Sequence, residues 1–189
     1  MSEDTKPTLL RRLWLRLLAT LGVAAAVLLG WWWRVEDART PDQIPPAIFG
    51  QPVDMGRSMA TPLALDLHRQ AGKADQLVLT ARLENITGET QLAYFGQPPL
   101  PPELVIGDAD IPAPEIILKR DGAALQQLQP RLPEEVELIW TLPPGTVPAQ
   151  VEIRFSKEIF KFRDNLYGQS SWLGTEPAAR LVAAPKVRT

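Results

Sequence analysis

The sequence contains no cysteine. A disulfide framework, a thiolate metal site and a cysteine nucleophile are therefore excluded. Histidine occurs once, as His68, so no metal site can be assembled from several imidazoles. A Ser-His-Asp triad would have this one base only. A surplus of positive charge is also missing. The net charge is −2, from 20 basic and 22 acidic residues. Lys6, Arg11, Arg12 and Arg16 outnumber Glu3 and Asp4 at the N-terminus, so the remainder is mildly acidic. Phosphate backbones are bound by basic patches. No basic stripe with interleaved aromatics occurs, and nucleic acid is not an expected partner.

What the chain does have is proline and one long apolar run. The 19 prolines in 189 residues are about twice the usual share. Leu17–Trp33 carries no charge. The Arg16 stem can reach toward headgroups, which lets Leu13–Leu15 join the run. Leu13–Trp33 is about 31 Å long as a helix, against a hydrocarbon core of about 30 Å. Trp31, Trp32 and Trp33 close the run, where indoles favour the membrane interface. Trp14, beside Arg16, suits the opposite interface.

The expected organisation is a cytoplasmic tail over 1–12, a transmembrane helix over 13–33, a Pro-rich tether over 34–52 and an extracytoplasmic β domain over 53–189. Four basic residues, Lys6, Arg11, Arg12 and Arg16, precede the uncharged run, and Arg34 and Arg39 follow it. That bias predicts an inside N-terminus, with the C-terminal domain on the periplasmic or extracellular side of the cytoplasmic membrane. A cleaved signal peptide is the competing reading, because Ala24-Ala25-Ala26 resembles a cleavage site. Against it, Val27-Leu28-Leu29 continues the apolar run beyond that point. Ala26 and Gly30 are spaced as in a small-x-x-x-small helix contact, though simple lipid-facing filler is the plainer reading.

Beyond the tether, apolar residues alternate with polar ones, the period of half-buried strands. Leu63, Leu65 and Leu67 alternate with Ala64, Asp66 and His68. Leu77, Leu79, Ala81 and Leu83 form a second set, ending at the turn residues Asn85-Ile86-Thr87-Gly88. Further strands are expected at Leu92–Phe95, Leu104–Ile106 and Glu115–Lys119, with Leu125–Gln129 as partner of the last across the Asp121-Gly122 turn. Val136–Leu142, Val151–Ser156 and Ala179–Ala183 complete the set, with Pro185 closing the fold. The fold class is mainly β: the helix is followed by an antiparallel immunoglobulin-like β-sandwich.

A helix, a proline tether and the segment Leu79-Thr80-Ala81-Arg82-Leu83-Glu84-Asn85-Ile86-Thr87-Gly88 resemble small bacterial membrane-anchored or exported proteins with an immunoglobulin-like domain. The resemblance implies the sandwich over residues 53–185 and no particular activity.

No catalytic set stands out. Gly168-Gln169-Ser170-Ser171-Trp172 begins like a nucleophile elbow but has Trp where the last Gly belongs. A Ser–Lys pair is a remote alternative. Gly107-Asp108-Ala109-Asp110 has too few carboxylates for a calcium loop. No catalytic residue, metal or cofactor is expected. Asn85-Ile86-Thr87 fits a glycosylation acceptor, and its turn role suffices to explain it. The candidate binding surface is Phe160, Phe162, Arg163, Tyr167 and Trp172, since aromatics beside arginine mark contact surfaces. Core filling is the competing role for these rings. The Pro-rich stretch Pro98–Pro102 is a second candidate surface. The expected function is a non-enzymatic, membrane-anchored interaction module, accessory to an envelope, transport or assembly complex. It would contact lipid through its helix and a protein of the envelope through its β domain. The alternative is an extracytoplasmic small-ligand or glycan-binding sandwich, with sugars stacked on Tyr167 and Trp172.

Overall fold

The computed structural model describes residues 9–39, 44–69, 72–92, 101–107, 109–163, 168 and 170–188. The chain forms two compact units, 1–43 and 44–189. The first contains one helix, α1 (Leu9–Arg39). No proline interrupts this Leu- and Ala-rich segment. The Thr20 hydroxyl lies 3.1 Å from the Arg16 carbonyl and 3.0 Å from that of Leu17, so this polar group is satisfied by the helix's own backbone. The stretch Leu13–Glu36 is 24 residues long and apolar enough to cross a membrane. Its large apolar side chains, from Leu13 to Trp33, are exposed.

The second unit is mainly β. Its strands are β1 (Val53–Asp54), β2 (Ser58–His68), β3 (Gln76–Asn85), β4 (Gln91–Leu92), β5 (Glu103–Val105), β6 (Glu115–Leu118), β7 (Gln127–Leu128), β8 (Glu134–Thr141), β9 (Val151–Lys161), β10 (Ser171–Ala183) and β11 (Lys186–Arg188). The larger sheet runs β1-β2-β3-β8-β6, with β11 also on β2; the smaller runs β10-β9-β5. All neighbours are antiparallel except β11, which lies parallel to β2. β4 and β7 form a separate two-stranded ribbon.

The alternation in the sequence has a direct counterpart. Leu77, Leu79, Ala81 and Leu83 of β3 are buried, with Val136, Leu138 and Trp140 of β8. Val151, Ile153 and Phe155 of β9 and Ala179 and Leu181 of β10 join them in one continuous core. Both antiparallel sheets thus bury their apolar faces in the same cluster. At about 25 cal/mol per Å² of apolar surface, this shared burial is the main favourable term for the unit.

Three expectations need adjustment. β2 begins at Ser58, earlier than the Leu63–His68 alternation suggests. Pro62 sits inside it and offers no N–H to a neighbour. It is tolerated because β1 pairs only with Met59 and Ala60, while β11 pairs from Asp66 onward. Pro62 falls between them, where its carbonyl accepts from the Gly50 N–H at 2.8 Å and no N–H is required of it. A register shift between Pro62 and Ala64 accompanies it. Second, the pairing across Asp121-Gly122 is brief. Leu118 and Ala123 are bonded, and so are Ile116 and Leu125, but Gln127–Leu128 pairs with Gln91–Leu92 instead. Third, Pro185 does not close the fold, because β11 follows it and Arg188 reaches Asp66 at 2.9 Å. Of the segment Leu92–Phe95, residues 93–95 lie outside the described residues.

Candidate functional site

The site is built on the hairpin of β9 and β10. Their register pairs Val151 with Ala183 at one end and Lys161 with Ser171 at the other, with two shifts along the way. Phe155 belongs to the core end of β9 and is buried. The two phenylalanines beyond it do not fill the core. Phe160 is 40% exposed and Phe162 is 88% exposed.

Phe160 and Trp172 occupy directly opposed positions on the two strands. Their ring centroids are 5.1 Å apart, and Phe160 meets Phe162 edge-on at 5.2 Å. Phe162 lies one residue beyond the end of β9. Lys161 and Arg163 are exposed beside them. Tyr167 lies outside the described residues, as do Pro98–Leu100 of the second candidate surface. Of the sequence-derived candidates, the structure brings together Phe160, Phe162 and Trp172.

Sequence reasoning missed the support beneath these rings. The Arg57 guanidinium lies over Trp172, 5.9 Å from the ring centroid. Its Nε and Nη2 donate to the Glu158 carboxylate at 2.9 and 3.1 Å. Glu158 is buried, while Arg57 is half-buried. The loop carrying Arg57 is held against β9 by the Glu158 N–H, which donates to the Met55 carbonyl at 3.1 Å. Gly56 stands between them with φ of +91°, and a Cβ there would come within 2.3 Å of the Glu158 carbonyl oxygen. Only glycine fits, in conformation and in space.

Asp54 and Lys157 form a second pair nearby, at 2.6 Å. Partial burial works to raise the Asp54 carboxyl pKa, but the Lys157 ammonium and the Gly56 N–H outweigh it and hold it below the usual carboxylate value. Hydrogen bonding to Asp54, reinforced by its charge, raises the pKa of Lys157. Both residues line an open cleft of about 410 Å³ with Pro45, Ile48, Glu176 and Pro177.

A polar knot lies behind the Arg57 loop. Asn85 is fully buried. Its Nδ2 donates to the Glu89 and Leu128 carbonyls, and its Oδ1 accepts from the Thr87 N–H and from Gln91 Nε2. Gln91 Nε2 also donates to the Arg57 carbonyl at 2.8 Å. The Asn-Ile-Thr triplet is therefore a structural turn with its amide inaccessible to modification in the folded chain.

The remaining sequence candidates lie elsewhere. Trp14, Arg16, Trp31, Trp32 and Trp33 are exposed on α1. Ser171 and Trp172 lie in β10, not at a strand-to-helix turn as a nucleophile elbow requires. Among the described residues, no group of three His, Asp or Glu side chains converges to hold a metal. The site's inventory is two exposed aromatic rings, a half-buried indole under a guanidinium, and exposed cations. That set can grip apolar and anionic surfaces.

No protein-family model matches the chain, and no curated protein and no solved structure matches it.

Proposed function

We propose that the chain is a single-pass, membrane-anchored accessory protein whose β unit, an immunoglobulin-like sandwich, works outside the cytoplasmic membrane by binding and not by catalysis. It contacts a protein of an envelope, transport or assembly complex. The observation that carries this reading is the pairing of two incompatible solvents' worth of surface in one chain. α1 exposes its apolar side chains along Leu13–Trp33, which suits a bilayer, while the β unit has a buried core of its own and suits water. Two antiparallel sheets sharing one core support the sandwich, and the basic N-terminal tail supports an inside N-terminus. The glycan alternative finds less support. Trp172 is half-buried and already packs against Arg57 and Phe160, leaving little free indole for a sugar ring.

The test is fractionation of cells expressing the full chain. The chain should resist alkaline extraction from membranes, and its β unit should be digested by protease added to spheroplasts. A photocrosslinker carried on the β unit should capture an envelope protein in stoichiometric yield. Val23→Arg places a charge mid-span, at a cost of about 2.5–3.5 kcal/mol, and should release the chain from the pellet. A chain recovered soluble and processed after Ala26 would sink the anchor reading.

A further inference from the structure

The hairpin end of β9–β10 presents four consecutive exposed residues, alternately aromatic and cationic: Phe160, Lys161, Phe162 and Arg163. We propose that this end is a second attachment point, which docks on the anionic lipid surface of the membrane that holds α1. The inference rests on the reading of α1 as a membrane anchor.

Four observations carry it. The first is exposure. Phe162 lies past the last paired position, Lys161 opposite Ser171, and is 88% exposed. A ring so placed adds nothing to the core. The second is composition. Phe160 and Phe162 meet edge-on at 5.2 Å, and the exposed Lys161 and Arg163 lie between and beyond them in the chain. Rings that enter the acyl boundary, flanked by cations that meet lipid phosphates, are the pattern of interfacial segments.

The third is area. Two phenylalanines, at about 150–250 Å² each, make a small apolar patch beside the roughly 800 Å² per partner of a standard protein interface. Shallow insertion into a bilayer requires only a few rings and is already favoured by covalent tethering. That tether is the fourth observation. In sequence, residues 40–43 link α1 to the β unit. The bilayer is thus present at high effective concentration, and even weak contacts are populated.

The support beneath the rings fits this role. Phe160 rests on Trp172, Trp172 on Arg57, and Arg57 on the buried Glu158 carboxylate. A pre-formed base means that little ordering is needed when the rings enter the lipid.

The absence of cysteine makes the test simple. Full-length chains carrying Phe162→Cys, or Lys73→Cys in the exposed β2–β3 loop as control, are labelled with an environment-sensitive fluorophore. They are reconstituted into phosphatidylcholine vesicles with and without phosphatidylglycerol. Lipids brominated on the acyl chains report contact by quenching. Quenching at 162 but not at 73, stronger with phosphatidylglycerol and weakened by salt, is the expected result. Reversing Lys161 or Arg163 to Glu should lower the docked-to-free ratio about fivefold or more for each charge. No quenching at 162 in phosphatidylglycerol vesicles overturns the proposal. So does a label shielded from iodide without lipid quenching, which makes the surface a protein contact. Loss of the chain from vesicles on alkaline washing, scored separately, instead overturns the anchor on which the docking depends.

Discussion

Arg57 and Glu158 stand 101 positions apart in the chain and meet through two parallel hydrogen bonds, at 2.9 and 3.1 Å. The pair fastens the β1–β2 loop to the middle of β9. Its geometry is bidentate, the arrangement that favours arginine over lysine. Glu158→Gln should lower stability by about 1–3 kcal/mol, because the half-buried guanidinium loses its counter-charge. Arg57→Ala should cost as much or more, since the buried carboxylate is left alone. Urea unfolding of the full chain in detergent, followed by near-ultraviolet circular dichroism, measures both. A double variant no worse than either single one would establish the coupling, whereas additive losses would refute it.

Gly56→Ala tests the close approach beneath that loop. The added Cβ meets backbone, not a flexible side chain, and the left-handed φ adds strain. A loss of about 3 kcal/mol or more is expected. An alanine variant as stable as the parent would mean that the loop packs differently against β9.

Asn85 predicts an instructive contrast. Asn85→Asp keeps the shape but cannot donate to the Glu89 and Leu128 carbonyls. It should cost about 2–4 kcal/mol at neutral pH, comparable to Asn85→Ala. Equal thermal midpoints for parent and Asp variant would argue against the buried amide network.

The aromatics separate by depth. Phe155→Ala should lose about 3–5 kcal/mol, as a filled core position does. Phe162→Ala should change stability by no more than about 0.5 kcal/mol. Comparable losses at the two sites, measured by the same unfolding curves, would place Phe162 in the core.

The Asp54–Lys157 pair gives a pH signature. The Asp54 pKa is lower in the folded chain, so its contribution is present above the ordinary carboxylate pKa and fades as pH falls through the folded value. The Lys157 pKa is raised, so its contribution is present below the ordinary ammonium pKa and is lost as pH rises through the folded value. Asp54→Asn should therefore lower the melting temperature slightly at neutral pH, and the gap should close at the acid end. A gap constant from pH 2 to pH 7 would contradict this. Both side chains are partly exposed to solvent, which keeps the effect small.

Much of this architecture was legible in the chain. The apolar run from Leu13 to Trp33 and the alternation in β3 and β8 are local patterns with one strong physical cause each. Strand lengths were less legible. β9 and β10 continue well past their apolar halves, because their outer halves are fixed by pairing with each other and not by burial. No alternation of apolar residues records that. Arg57 could not be found from sequence at all. Its role depends on Glu158 and Trp172, both more than 100 positions away, and it sits in a short loop of unremarkable composition. Phe160 and Phe162 were legible as a cluster but not as exposed, since alternation alone does not say which face of a strand meets the core.

The placement of β11 beside β2 carries a kinetic consequence. Lys186 pairs with Asp66, so the two partners are synthesised 120 residues apart. At about 5–20 residues per second, β2 waits roughly 6–24 s before its neighbour exists. During that interval the Asp66–His68 end of its outer edge offers unpaired backbone groups to any passing strand, and the buried Asp66 carboxylate lacks Arg188. The most vulnerable moment of this domain is thus its emergence, when a holdase acting on the nascent chain would have the most to protect.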